Sequence, residues 1–165
     1  MSLAKRISMR LWFCQGLLAV LILVGGRLAQ ADSDPAYQEK LEKEQVQIDA
    51  AVVQAGGTIA KKLSDMFHIK PDLIQEIRDD GTLKGPSGGP GWGEISVLLC
   101  MARQLRKQHA ADYPTYLDAL EKVRSLKSEN VSYEDIAKRF EFNLQPVLDE
   151  TRRIKTHLQS NKRFR

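Results

Sequence analysis

Three observations on this 165-residue chain predict an all-α fold. Apolar residues recur at intervals of three, four and seven over most of its length, the period of a helix face. No stretch of useful length alternates apolar and polar residues as a half-buried strand would. Pro71, Pro114 and Pro146 each stand where a periodic segment begins, and proline suits the first turn of a helix. The expected architecture is a small bundle of about five to six helices.

The first segment is not expected to belong to that bundle. Lys5, Arg6 and Arg10 form a positive start, Leu11 to Gly26 is apolar apart from Gln15, and Ala29-Gln30-Ala31 is a small-x-small site followed by the polar Asp32-Ser33-Asp34-Pro35. That order predicts a cleavable secretory signal peptide over residues 1–31, cut near Ala31-Asp32. The expected location is therefore periplasmic or secreted. An uncleaved anchor is the second reading, but a span needs ~20 apolar residues, and this run is shorter and ends at Arg27. Once cleaved, the chain is not expected to be an integral membrane protein. Cys14 lies too early in the run for a lipoprotein.

Removing the leader changes the charge and the cysteine count. It carries four of the 25 Lys and Arg and no acid, so the remaining 134 residues hold 21 basic against 21 acidic residues. The basic isoelectric point belongs to the leader and gives no ground for nucleic-acid binding by the whole domain. One cysteine remains, Cys100, so no intramolecular disulfide is available. It sits in an apolar run and is expected to be a buried thiol.

Residues 36–67 read as a long helix with Tyr37, Leu41, Ile48, Val52, Ala55, Ile59, Leu63 and Met66 on one face. Gly56-Gly57 should break it, because two glycines cost about 2 kcal/mol relative to alanine. This divides an acidic N-terminal helix, 32–57, from a helical domain, 58–159. The acidic helix is charged on its outer face and is expected to project or pack loosely. A short helix, 71–79, should bury Leu73, Ile74 and Ile77 and end at Gly81. The loop 81–91 follows, with five of the eleven glycines and two prolines. From Trp92 to about His109 a helix apolar on most sides should be central. A helix over about 114–127 should turn Leu117, Leu120, Val123 and Leu126 inward. Ser132-Tyr133-Glu134-Asp135 resembles a capping box and starts a short helix carrying Ile136, Ala137 and Phe140. The last helix, from Pro146, carries Val147, Thr151, Ile154 and Leu158 on one face, and a basic tail, 160–165, closes the chain.

A short internal match accompanies these elements. Ile59-Ala60-Lys61-Lys62-Leu63 parallels Ile136-Ala137-Lys138-Arg139-Phe140, and each leads through a turn with a proline at the next helix start. An overlapping match sets Ile77-Arg78 and Trp92-Gly93-Glu94-Ile95 beside Val123-Arg124 and Tyr133-Glu134-Asp135-Ile136. Two related helical hairpins are the expectation. The segment Gly91-Trp92-Gly93-Glu94-Ile95, with Leu73 to Gly81 upstream, resembles exported bacterial helical proteins that carry Gly-Trp-Gly-Glu-Ile segments and have no assigned activity. The likeness covers roughly residues 58–106, and the second copy, Ser132 to Ile136, lacks both glycines. It implies export and a helical fold, and no active site.

No segment carries catalytic chemistry by spacing. The glycine-rich loop lacks a Gly-Lys-Ser/Thr ending and a preceding strand. His68, His109 and His157 have no partner at metal-ligand spacing. Asp79-Asp80 and Glu134-Asp135 fit helix ends. No cofactor, metal or catalytic residue is expected. Glu94 should occupy the positive end of its helix, and Trp92 should tie the loop to the core, with ligand stacking as the alternative. Residues 32–50 carry a balance of −4 and residues 151–165 a balance of +6. The two charged segments either attract each other within the fold or offer the basic one to anionic lipid, envelope polymer or an acidic partner.

The function expected is an exported, non-catalytic helical interaction module. It would bind another envelope protein or an anionic envelope surface through Trp92, Glu94, Arg152, Arg153, Lys162, Arg163 and Arg165. A small-ligand or ion-binding protein is the alternative. A DNA-binding helix–turn–helix protein, suggested by Ile136 to Phe140, is opposed by export and by the zero net charge of the mature chain.

Overall fold

The structure is a computed structural model that describes residues 36–55, 59–79 and 89–160. The signal peptide expected over 1–31, most of the loop 81–91, and Lys162, Arg163 and Arg165 of the tail lie outside the described residues. Seven helices and no strand occur among the described residues: α1 (Ala36–Ala55), α2 (Ile59–Phe67), α3 (Pro71–Asp79), α4 (Trp92–Gln108), α5 (Tyr116–Ser128), α6 (Tyr133–Arg139) and α7 (Gln145–Ser160). The class is all-α. Among these residues, no helix is long and apolar enough to cross a membrane.

Helix α4 is the centre, as its composition predicted. Every residue from Ile95 to Ala102 is buried, and α1, α3, α5 and α7 pack around it. Its flank reaches Cys100, which is fully buried. The thiol is pushed well above its usual range, first by burial and then by the nearby Glu150 carboxylate.

Helix α1 departs from the expectation that it projects or packs loosely. Leu41 and Ile48 are fully buried and Ala51 nearly so, because α1 lies along both α4 and α7. Burying two such side chains contributes about 1.5–3 kcal/mol each, more than a loosely held helix could gain. Position 44 falls on the same inward stripe, between Leu41 and Ile48, and is a glutamate. Glu44 is only 8% exposed. Its carboxylate accepts from Lys155 Nζ at 2.5 Å and from Arg152 Nε at 3.2 Å, and Lys155 also donates to Gln47 at 2.6 Å. Thus the acidic helix and the basic last helix neutralise each other inside the fold.

Polar side chains of α1 finish the starts of two other helices and contact that of a third. Gly93 N–H at the first turn of α4 donates to Asp49 Oδ1 at 2.9 Å. Tyr133 N–H at the start of α6 donates to Gln38 Oε1 at 3.0 Å, and Gln38 N–H donates to Glu134 at 3.1 Å. The Tyr37 hydroxyl donates to Gln145, the first residue of α7, at 3.1 Å. Helix starts leave N–H groups without intrahelical partners; at α4 and α6 the helix α1 supplies an acceptor, whereas the Gln145 N–H of α7 donates to Asn143 Oδ1 at 2.7 Å.

The connections between the later helices share one device. His68, Asn130 and Glu141 have φ of 55°, 61° and 53°, the left-handed region in which glycine usually ends a helix. In each case the next residue is apolar and its N–H bonds back five positions: Ile69 to Ser64 O, Val131 to Leu126 O, and Phe142 to Ala137 O, at 3.3, 3.0 and 3.0 Å. This is the Schellman closure, built without glycine. It turns α2 into α3, α5 into α6, and α6 into α7.

Two boundary details differ from the sequence reading. Helix α5 begins at Tyr116, not Pro114, because Thr115 and Asp118 form a capping box at 3.2 and 2.9 Å. Consequently Leu117 is 49% exposed and does not face the core, whereas Ala119, Leu120, Val123 and Leu126 do.

Candidate functional site

The Gly91-Trp92-Gly93-Glu94 segment sits where α4 meets α1. A Cβ added at Gly93 would lie 2.5 Å from the Gln45 carbonyl carbon, and closer still to its Cα and oxygen. A Cβ at Gly91 would lie 2.5 Å from Asp49 Oδ2. The glycines therefore allow the backbone of α4 to touch α1, and this contact puts Asp49 at the N–H of Gly93. Asp49, from another helix, thus joins Glu94 of the first turn at the positive end of α4. Trp92 is 9% exposed, and the Arg78 guanidinium stands 4.3 Å from its ring centroid, a cation–π contact that ties α3 to the start of α4.

Glu94 is half-buried and looks toward a polar junction between α1, α5 and α6. Burial raises its carboxyl above the usual range; Lys127 pulls it down and Asp49 pushes it up. Lys127 is lowered by burial, against the pull of Glu94 and Glu42. Its ammonium lies 4.2 Å from the Tyr133 ring centroid and donates to Val131 O at 3.0 Å. Tyr133 is held above its usual range by burial and by Glu94, while its hydroxyl accepts from Gln45 at 2.7 Å. In both segments of the sequence match a helix begins with an aromatic that has a cation over its ring, but the cation over Tyr133 is Lys127 and not Arg124, which the match sets beside Arg78.

The remaining residues singled out from sequence fall elsewhere. Arg152 bonds Glu44 and lies 3.7 Å from Asp149. Arg153, next to it, is exposed. The structure therefore does not bring Trp92 and Glu94 together with Arg152 and Arg153 into one site. His109 meets the Phe140 carbonyl at 2.7 Å, and among the described residues no group of three or more His, Cys, Asp or Glu is placed to hold a metal.

A further cluster was not recognised from sequence. Arg103, Arg106 and Lys107 stand at i, i+3 and i+4, one face of the last turns of α4. They line a groove of about 690 Å³ together with His68, which the left-handed turn after α2 presents. Phe67 and Tyr116 supply aromatic walls. Arg103 is committed to the fold: it pairs with Glu150, donates to Met66 O at 2.8 Å, and stacks 4.2 Å from the Phe67 ring centroid. Arg106 and Lys107 are exposed, and neither has a carboxylate within ion-pair distance among the described residues. The end of α4 contributes about half a negative charge, against the two cations Arg106 and Lys107 that Glu150 does not match, so the groove stays positive. The same-face spacing of the three cations was legible in the sequence, but nothing there showed what they would face.

No protein-family model, no curated protein and no solved structure matches the chain.

Proposed function

We propose that this chain is an exported, non-catalytic helical binding module that attaches to an anionic component of the cell envelope. The observation that carries the reading is the cationic groove at the end of α4, where Arg106 and Lys107 stand without carboxylate partners among the described residues. Surface cations usually offset nearby acids, as Arg152 and Lys155 do with Glu44. A pair left unmatched beside an aromatic-walled groove suits an anion. The leader signature supplies the location, and the basic tail would add attraction to the same kind of partner.

The test is crosslinked capture from the native envelope with the processed protein. Three chains are compared: wild type, Arg106→Glu with Lys107→Glu, and a chain ending at Ser160. The expected result is a component captured by wild type and by the shortened chain and lost with the double reversal. Loss only in the shortened chain would transfer the role to the tail. Equal capture by all three would sink the groove reading. N-terminal sequencing of the exported protein should begin at Asp32; recovery of an intact Met1 in the cytoplasm would remove the export half of the proposal.

A further inference from the structure

We infer that the groove at the end of α4 accepts an anionic amphiphile, a phosphate or carboxylate headgroup on an acyl-like body. This inference rests on the reading of that groove as the anion-binding face. Two halves of the groove differ in chemistry. One rim holds the exposed side chains of Arg106, Lys107 and His68. The rest of the lining includes Tyr116 and the largely buried Phe67, whose rings lie 6.2 Å apart at 39°, and Met66.

The wall is apolar even where it contains polar atoms. The Tyr116 hydroxyl donates to Leu99 O at 2.8 Å, which turns it into the protein and leaves the ring for the groove. Arg103 has its charge matched by Glu150 and its face laid on Phe67, so it acts there as a flat cover and not as a free cation. A bare inorganic anion would therefore meet Arg106 and Lys107 only and leave the rest of the groove to water. The volume of about 690 Å³ lies within the range of organic-ligand sites, ~300–1,000 Å³, and is many times the ~30 Å³ share of one water. Headgroup on the cationic rim and chain on the aromatic wall use both halves.

The same chemistry has two sources, a membrane lipid and a free amphiphile. Calorimetric titration of the processed protein with butyl, hexyl and octyl phosphate, all below their micelle concentrations, tests the shared chemistry. Inorganic phosphate and octyltrimethylammonium are the controls. Affinity should rise by up to about fourfold for each methylene that enters the groove, with the cationic amphiphile not binding. Ala110→Trp, an exposed turn residue at the groove, should abolish the chain-length dependence while leaving Arg106 and Lys107 in place; circular dichroism checks its fold. Vesicles of phosphatidylglycerol in phosphatidylcholine, against phosphatidylcholine alone, identify the source. Binding to them as well as to octyl phosphate assigns a lipid headgroup, and binding to octyl phosphate alone assigns a free amphiphile.

Equal affinity for inorganic and octyl phosphate, or an unchanged titration in Ala110→Trp, overturns the inference. If that happens while the double reversal still abolishes envelope capture, the binding-module reading stands without the amphiphile. If capture is also unaffected, both fall.

Discussion

Gly93→Ala separates two forces that act in opposite directions on one methyl group. Within a helix, alanine is favoured over glycine by about 1 kcal/mol, so propensity alone predicts a more stable protein. The contact between α4 and α1 predicts the reverse. The added Cβ would sit 2.5 Å from the Gln45 carbonyl carbon, and the neighbouring atoms are backbone, which has no rotamer to give. Ordinary contact begins at 3.4 Å, so the two helices must part by roughly 1 Å, an overpacking that costs about 1–3 kcal/mol. Parting them also lengthens the 2.9 Å bond from Gly93 N–H to Asp49, and a hydrogen bond to a charged acceptor contributes about 1.5–3 kcal/mol. The net expectation is a loss of about 2–4 kcal/mol. In urea unfolding followed by far-UV circular dichroism, the midpoint should fall by about 1–2 M at an unchanged slope. Gly91→Ala should lose less, because its Cβ meets the movable carboxylate of Asp49. A Gly93→Ala protein as stable as wild type, or more so, would show that the close approach of α1 and α4 is wrong.

Three other perturbations follow from the fold. Glu44→Ala leaves Lys155 and Arg152 facing a gap and should destabilise by about 2–3 kcal/mol; Glu44→Gln, which keeps an acceptor, should lose less. Burial alone would raise the Glu44 carboxyl, but hydrogen bonds from Lys155 and Arg152 outweigh it and hold it below its usual range. A depressed folded value means that this stability is present above the unfolded carboxylate range and is lost as pH falls through the folded value. The urea midpoints of wild type and Glu44→Gln should therefore converge on acidification, and a gap that stays constant would argue against the ion pair. Glu141→Gly relieves a left-handed residue at a helix end and should stabilise by about 0.5–1 kcal/mol, read as a higher melting temperature; a loss would mean that the Glu141 side chain contributes more than its backbone strain. Cys100 should react with a thiol reagent only at the rate of global unfolding, and fast labelling of the native protein would contradict its burial against Glu150.

The fold was legible wherever burial follows a period. The central helix and the inward stripe of Leu41 and Ile48 follow from spacing; the break expected at Gly56-Gly57 lies outside the described residues. Glu44 was not legible as an inward residue, because nothing local reveals that Arg152 and Lys155, more than 100 residues later, will meet it. The attraction of the acidic and basic segments was one of two readings of their charge, but α1 was expected to project or pack loosely when it is a principal packing surface. The turns at His68, Asn130 and Glu141 were missed because the usual signal for a left-handed helix end is glycine, and each of these relies on the apolar residue after it. Trp92 and its flanking glycines were noticed, but as a loop feature. Their reason is the approach of Gln45 and Asp49 from a helix whose sequence shows no sign of it. The groove joins residues from the end of α2, the end of α4 and the start of α5, and no one-dimensional pattern spans those three.

The attachments of α1 also set an order in time. The links from α2 to α3 and from α5 through α6 to α7 close over a few residues and can form as soon as each segment exists. Those of α1 close late: Tyr37 waits for Gln145, and Glu44 waits for Arg152 and Lys155. A chain made or threaded from its N-terminus can lay α1 against α4 early, but the carboxylate between Leu41 and Ile48 stays unmatched until the last helix has emerged. Completion is thereby deferred to the final sixteen-residue helix, and contacts of such long sequence separation are slow to form. Under the proposed export, the slowest join of the chain lies between its first helix and its last.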